Sequence, residues 1–531
     1  MIGARPSDTT WGDDGRTVAV VAHNVSTRYL AYTVDAIVGV VMLPFNLAHL
    51  GPAAYGLWMV TASLTAYFSM LDLGYGGALV RFVAQYRARK DQRSLNEILS
   101  TLAVVYTLIG AATYALMAIA AYYLDSLLKL TPDQVSTSRA LLLIVGASVA
   151  LRFLFGVFGG VIVGFQRYHL NNLTSIATSL AVALANVVVL LMGFGVIELV
   201  AVTTAVRIAA LFVYRLNAYR VYPGLRISAR LFRLERLREV SGFSVFMLAL
   251  DLAHKLNYST DVLVIGALIG APAVAFWSPA QRLGELALKL SNQLSEAMFP
   301  IVVDCDAAKR AARLRMVFVQ GTRLSLATVV PIAGGLAMLA HPLLAAWIGG
   351  GFVETATILQ ILAMVVIVRV GSSTASVILK GAGLHRRLAA LVSVMAIVNL
   401  ALSVALVKPL GLIGIAIGTL VPVSAISLLG YIPAACRRVG ISIPRMLYEG
   451  VWPAAWPAAA AGGLLYFTRQ HLPVTLPAVA LQLAIGGLFY IALFMLAVGG
   501  NERREYWRHA DALLRRNKAQ MRHVGTANAS S

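Results

Sequence analysis

The sequence predicts an all-α polytopic membrane protein of fourteen transmembrane helices, built as two six-helix lobes and two further C-terminal helices. Three observations predict it. The 531 residues are 59% apolar and only 13% charged, with a mean hydropathy of +0.78, far outside the range of water-soluble domains. Polar breaks divide the chain into fourteen stretches of roughly the 20 apolar residues that cross a hydrocarbon core. The connecting segments alternate in charge, one set holding 29 Lys and Arg and the other 3.

Residues 1–26 are polar and contain Asp8, Asp13 and Asp14, so they read as a cytoplasmic tail rather than a cleavable signal. The expected spans follow at 27–49, 53–80, 96–123, 139–164, 171–192 and 196–215, which form the N-lobe (27–215). Residues 216–241 read as a basic linker and, with the end of the sixth span, as an interfacial helix. Ile227, Leu231, Leu234 and Leu237 recur there at helical spacing among Arg226, Arg230, Arg233, Arg236 and Arg238. The C-lobe (242–435) holds spans at 242–268, 272–299, 317–340, 357–380, 388–407 and 411–435. Spans at 450–468 and 476–499 precede a basic tail, 500–531. The Lys and Arg excess marks the cytoplasmic side, which places both termini in the cytoplasm. Lys129, Lys408 and Arg469 are the outer cations.

The chain carries a net charge of +21. Because the charge lies along one membrane face and not in one module, it points to anionic lipid headgroups and not to nucleic acid. Cys305 and Cys436 fall in cytoplasmic loops, so no disulfide is expected.

The two halves repeat. Leu50-Gly51-Pro52-Ala53-Ala54-Tyr55-Gly56-Leu57-Trp58 returns as Ile269-Gly270-Ala271-Pro272-Ala273-Val274-Ala275-Phe276-Trp277, with Gly51 and Gly270 219 residues apart. Gly195-Val196-Ile197-Glu198 opens the sixth span as Gly411-Leu412-Ile413-Gly414 opens the twelfth, 216 residues on. An even number of spans per half gives both halves the same orientation, so a pseudo-two-fold axis runs along the membrane normal with a central cleft between lobes. Single glycines at such places serve tight turns or close helix packing.

Nine basic residues lie in or at the ends of spans: Arg81, Arg139, Arg152, Arg207, Lys255, Arg282, Lys289, Arg323 and Arg369. A charge at the centre of a bilayer costs roughly 2.5 to 3.5 kcal/mol on insertion scales, so central charges must face protein or water. Ser278, Arg282, Glu285, Lys289, Asn292 and Glu296 step by three and four residues along one face of the eighth span. Asp251, His254, Lys255, Tyr258 and Asp261 do so in the seventh, and Tyr32, Asp35, Gly39, Asn46 and His49 in the first. Arg152 and Arg369 lie near the middle of their spans and 217 residues apart, one per lobe. Such charges either pair internally, as Glu285 can with Arg282 and Lys289, or line a basic, water-filled cavity; the cluster favours the cavity. Asp35, Asp251, Asp261, Glu285 and His254 are the candidates for a coupling H⁺ or Na⁺, because low dielectric raises a carboxylate pKa towards the working range.

No Walker A sequence, dinucleotide-binding glycine loop, HExxH or paired cysteine spacing is present. The loops leave no room for a soluble catalytic domain. An enzyme is therefore not expected, and no cofactor is implied.

Ordered motifs carry a resemblance. Pro44, Leu50-Gly51, Tyr55-Gly56-Leu57-Trp58, Leu71-Asp72-Leu73-Gly74, Leu79-Val80-Arg81-Phe82-Val83 and Arg87-Ala88-Arg89-Lys90-Asp91 come in the first half. Asp261-Val262-Leu263-Val264-Ile265-Gly266, Ala280-Gln281-Arg282-Leu283, Phe299-Pro300, Asn399 and Gly411-Leu412-Ile413-Gly414-Ile415-Ala416 come in the second. Over roughly residues 24–435 the chain resembles the Wzx-type polysaccharide and O-antigen flippases of the multidrug/oligosaccharidyl-lipid/polysaccharide (MOP) exporter superfamily. Asp72 and Arg81 read as helix-end anchors, not substrate contacts.

The resemblance implies export of undecaprenyl-pyrophosphate-linked oligosaccharide repeat units by alternating access, for surface or exopolysaccharide synthesis, with polymerase or export machinery as partners. Arg152, Arg369, Lys255, Arg282 and Lys289 are then expected to receive the anionic head. A multidrug or cation antiporter of the same superfamily and a lipid II flippase are the alternatives. A membrane enzyme is a third, from a different class. The basic excess argues against a cavity for cations.

Overall fold

Apolar runs of this length satisfy their backbone in hydrocarbon by coiling into helices. In the computed structural model, which describes residues 14–72, 75–123, 132–240 and 260–499, helices are the regular structure and no strand occurs among the described residues. The long helices are α1 (Asp14–Phe68), α2 (Tyr75–Ala88), α3 (Gln92–Tyr122), α4 (Pro132–Gly164), α5 (Tyr168–Leu191) and α6 (Val196–Val221). They continue as α7 (Thr260–Leu268), α8 (Ala271–Ala307), α9 (Ala311–Val329), α10 (Val353–Gly381), α11 (His385–Ala425), α12 (Trp452–Thr468) and α13 (Leu476–Ala497).

Nine helical stretches among the described residues are long and apolar enough to cross a membrane. Two of them run through a glycine turn, Ser26–Thr65 at Gly51 and Arg386–Val439 at Gly411, where hydropathy divides one span from the next. Gly51 and its repeat partner Gly270 both hold positive φ, 72° and 130°, a conformation that L side chains rarely adopt. The other repeated pair diverges: Gly411 has φ 57°, whereas Gly195 is extended and caps α6 with its N–H bonded to Glu198 at 3.1 Å.

The expected unbroken span over 53–80 is interrupted. α1 ends at Phe68, a 3-10 turn covers Ser69–Asp72, and α2 restarts at Tyr75. Asp72 explains the restart, because its carboxylate accepts the Gly76 N–H at 3.0 Å and so satisfies a donor left open at the start of α2. The Tyr106 hydroxyl of α3 lies within electrostatic reach of the same carboxylate.

The linker is segmented rather than a single helix. Residues 215–221 complete α6, Tyr222 to Ser228 form a turn and an extended stretch, and helix resumes over 234–240; Pro223 lacks the N–H that continued helix requires. The segment is strapped to the start of α3. Asn96 donates to the Gly224 carbonyl and accepts from the Arg226 N–H, both at 3.0 Å, while the Thr101 hydroxyl accepts from the Arg233 N–H at 3.0 Å. Arg236 joins Glu97, Glu239, Ser94 and Tyr86. Burial disfavours its charge, but the hydrogen bonds to Glu239 and Glu97 outweigh this and hold its pKa above the ordinary value.

The chain divides into two units, Met1–Arg282 with Leu400–Ile415, and Leu283–Asn399 with Ala416–Ser531. In the first, Leu79, Phe82, Ile98, Leu102, Phe153 and Val161 form the main core. α4 packs close to its neighbours through small residues: a side chain at Gly160 would meet Leu79, one at Gly164 would meet Val83, and one at Gly110 of α3 would meet the Ala150 carbonyl. The second unit packs α9 and α10 with α12 and α13 around Val329, Val366, Val370, Tyr490 and Phe494.

Candidate functional site

A cavity of about 850 Å³ lies within the first unit, walled by α1, α4, α5 and α6. Each wall presents residues at helical spacing. α5 contributes Asn171, Ser175, Thr178, Ser179 and Asn186; α6 contributes Thr203, Thr204, Arg207 and Tyr214; α4 contributes Ser148 and Arg152; α1 contributes Asp35. On α4, α5 and α6, polar residues three or four positions apart turn towards the same space. The Asn171 and Asn186 amide oxygens are buried and without a hydrogen-bond donor among the described residues.

The cavity is also charged. Arg152 and Arg207 come from different helices and lie within electrostatic reach of each other, with Asp35 close enough to act on Arg207. Among the described residues neither guanidinium makes an ion pair or hydrogen bond. The cavity thus brings two guanidiniums together with hydroxyls and amides, all of them groups that can donate hydrogen bonds.

Asp35 is half-exposed and pairs loosely with Arg282, the Nη2 to Oδ2 distance being 3.8 Å. The closer contact is to the backbone, because Arg282 Nη2 donates to the Asp35 carbonyl at 3.0 Å. The Arg282 guanidinium lies over α1 at Gly39, where any side chain would collide with it. Its Nε is buried without an acceptor.

The other sequence candidates fall elsewhere. Arg369 sits half-buried on α10 in the second unit, its carbonyl accepting the Ser372 hydroxyl at 3.2 Å; it does not line the cavity. Lys289 is exposed and Glu285 half-buried, both on α8 in the second unit. Asp261 is in the first turn of α7, next to Thr260, whose hydroxyl meets that of Tyr67 at 2.6 Å. Lys255, Asp251 and His254 lie outside the described residues. Arg207 is one of the nine basic residues that the sequence places in the spans, but it belongs neither to the polar stripes of the first, seventh and eighth spans nor to the Arg152 and Arg369 pair, so it is not among the candidates. The signal that finds it is the α6 stripe of Thr203, Thr204, Arg207 and Tyr214, matched by the hydroxyl and amide stripe on α5.

Long apolar helices and a charged polar cavity among them define a multi-pass membrane transporter. The chain belongs to the polysaccharide biosynthesis protein family, whose pattern it matches over residues 21–305, more than half its length. It is 22% identical over 498 residues to a protein described as the flippase AglR of Haloferax volcanii, covering 92% of this chain and 98% of that one. It is 20% identical over 281 residues to a protein described as an O-antigen transporter of Shigella flexneri, covering 53% and 66%. Its fold is that of the lipid II flippase MurJ in an inward closed conformation, with TM-score 0.70 at 15% identity over 90% of this chain and 98% of that one. An inward-facing multidrug resistance MATE family transporter of the MOP superfamily also aligns, with TM-score 0.61 at 16% identity, over 79% and 98%. The family and these relatives are transporters and flippases, not enzymes.

Proposed function

We propose that this protein is a flippase that carries undecaprenyl-pyrophosphate-linked oligosaccharide repeat units across the bacterial inner membrane, with both termini in the cytoplasm. The carrying observation is the pair Arg152 and Arg207, unpaired among the described residues and facing one hydroxyl-lined cavity. A pyrophosphate bridge carries two negative charges and several acceptor oxygens. Two guanidiniums answer the charge, and Ser148, Ser175, Ser179 and Thr203 offer donors to the remaining oxygens and to sugar hydroxyls. The isoprenoid tail stays with lipid, and alternating access delivers the head to the outer leaflet. Arg282, Arg369, Lys255 and Lys289 serve as further contacts along the route. Asp35, Asp251, Asp261, Glu285 and His254 are the coupling candidates for H⁺ or Na⁺. Anionic lipids accompany the basic cytoplasmic face, and the polysaccharide polymerase and export machinery act on the delivered unit.

A lipid II flippase would bind the same pyrophosphate, and a cation exporter would not need it. The test is to delete the protein and identify the lipid carrier that accumulates, alongside flipping of lipid-linked oligosaccharide in proteoliposomes. Accumulation of glycan-bearing carrier, with an at least tenfold slower rate in Arg152→Gln or Arg207→Gln, is expected. Normal flipping in both variants overturns the role of the cavity. Accumulation of lipid II identifies the other flippase, and unchanged carrier with drug sensitivity identifies the exporter.

A further inference from the structure

The same cavity contains its own anion. Asp35 and Arg207 line this one cavity and lie within electrostatic reach of each other, and the Asp35 side chain is 56% exposed. Its ion pair with Arg282, at 3.8 Å, is well beyond the roughly 2.7–2.9 Å of a charge-assisted hydrogen bond. Arg282 instead holds the Asp35 backbone carbonyl and rests over Gly39. The α1 backbone is thus fixed where it meets Arg282, and the Asp35 carboxylate keeps its freedom to turn.

A transporter that delivers its cargo must return empty, and an empty cavity with Arg152 and Arg207 alone holds two like charges within reach of each other. We propose that Asp35 is the built-in counter-anion of this cavity: it neutralises part of the guanidinium charge during the empty return and competes with the bound anion, so that the anion can leave. The proposal rests on the anion-binding reading of the cavity. It gives Asp35 a task as a charge within the cavity itself.

The experiment uses the full-length protein and a short-chain, water-soluble isoprenyl pyrophosphoryl sugar as probe. In detergent, Asp35→Asn is expected to bind the probe about tenfold more tightly, because one like charge has been removed from the site. In proteoliposomes supplied with the long-chain lipid-linked sugar, it is expected to show a lower half-saturation concentration together with a several-fold lower maximal rate. Asp35→Glu, which keeps the charge, is expected to behave as the unaltered protein. Damage to the fold weakens binding and slows transport together, so tighter binding with slower turnover is a signature that a merely structural role does not produce. If Asp35→Asn binds no more tightly while Arg207→Gln loses the probe, the counter-anion proposal falls and the anion site stands. If the unaltered protein does not bind the probe, or Arg152→Gln and Arg207→Gln bind it normally, the anion-site reading itself falls.

Discussion

Arg282 of α8 lies across α1 at Gly39, and its Nη2 donates to the Asp35 carbonyl one helical turn back, at 3.0 Å. Only a residue without a side chain lets a guanidinium approach a helix backbone this closely.

Gly39→Ala is therefore expected to displace Arg282. The colliding atoms are the far end of a flexible side chain, which can swing aside, so the cost in stability is expected to stay within about 1 kcal/mol. The loss is one of function: Gly39→Ala and Arg282→Ala should slow flipping to similar degrees, and the double variant should be no slower than either single one. Additive losses in that cycle would show that Gly39 and Arg282 act separately.

The strap between α6 and the second half depends on Arg236. Glu97 is only 10% exposed and shares its carboxylate between Arg236 and Arg93. Removing Arg236 leaves this acid with Arg93 alone, and leaves Ser94 and Tyr86 without that donor. Arg236→Met is expected to destabilise the protein by about 1–3 kcal/mol and to speed tryptic cleavage at Arg226, Arg230 and Arg233. Melting in detergent and the time course of limited proteolysis measure the two effects. An unchanged cleavage rate would mean that the Asn96 and Thr101 contacts hold the strap by themselves.

The turn glycines separate backbone strain from packing. Nothing lies within 4 Å of a side chain added at Gly51 or Gly411, yet both have positive φ, so alanine there is expected to cost about 1–2 kcal/mol from the backbone alone. Gly462 also has open space around it but lies inside α12, where alanine is expected to be neutral or to stabilise by up to about 1 kcal/mol. Melting temperatures of the three single variants check the contrast; equal shifts would remove the strain argument.

Much of this architecture is legible in the chain. Hydropathy alone places helices at 171–192, 196–215 and 476–499, which are α5, α6 and α13, because burial in hydrocarbon is set residue by residue. The repeat marks Gly51 and Gly270 as turn positions, and both hold positive φ. The break at Ser69–Asp72 was hidden, since an apolar run shows no sign that one carboxylate will cap a new helix within it. The linker's helical spacing was real as a pattern, but hydrogen bonds from Asn96 and Thr101, more than 120 residues away in sequence, set its path.

The site divides in the same way. By itself the sequence determined that the chain crosses the membrane repeatedly, and that Arg152, Arg282 and Asp35 are charges it must shelter there. Only the tertiary structure decided the partnerships: Arg152 shares a cavity with Arg207 and Asp35, and Asp35 also meets Arg282. Periodicity gives the face of a helix and the depth of a residue along it. Which helix stands opposite that face depends on packing among distant segments, such as the close approach of α4 at Gly110, Gly160 and Gly164, and no local pattern carries that information.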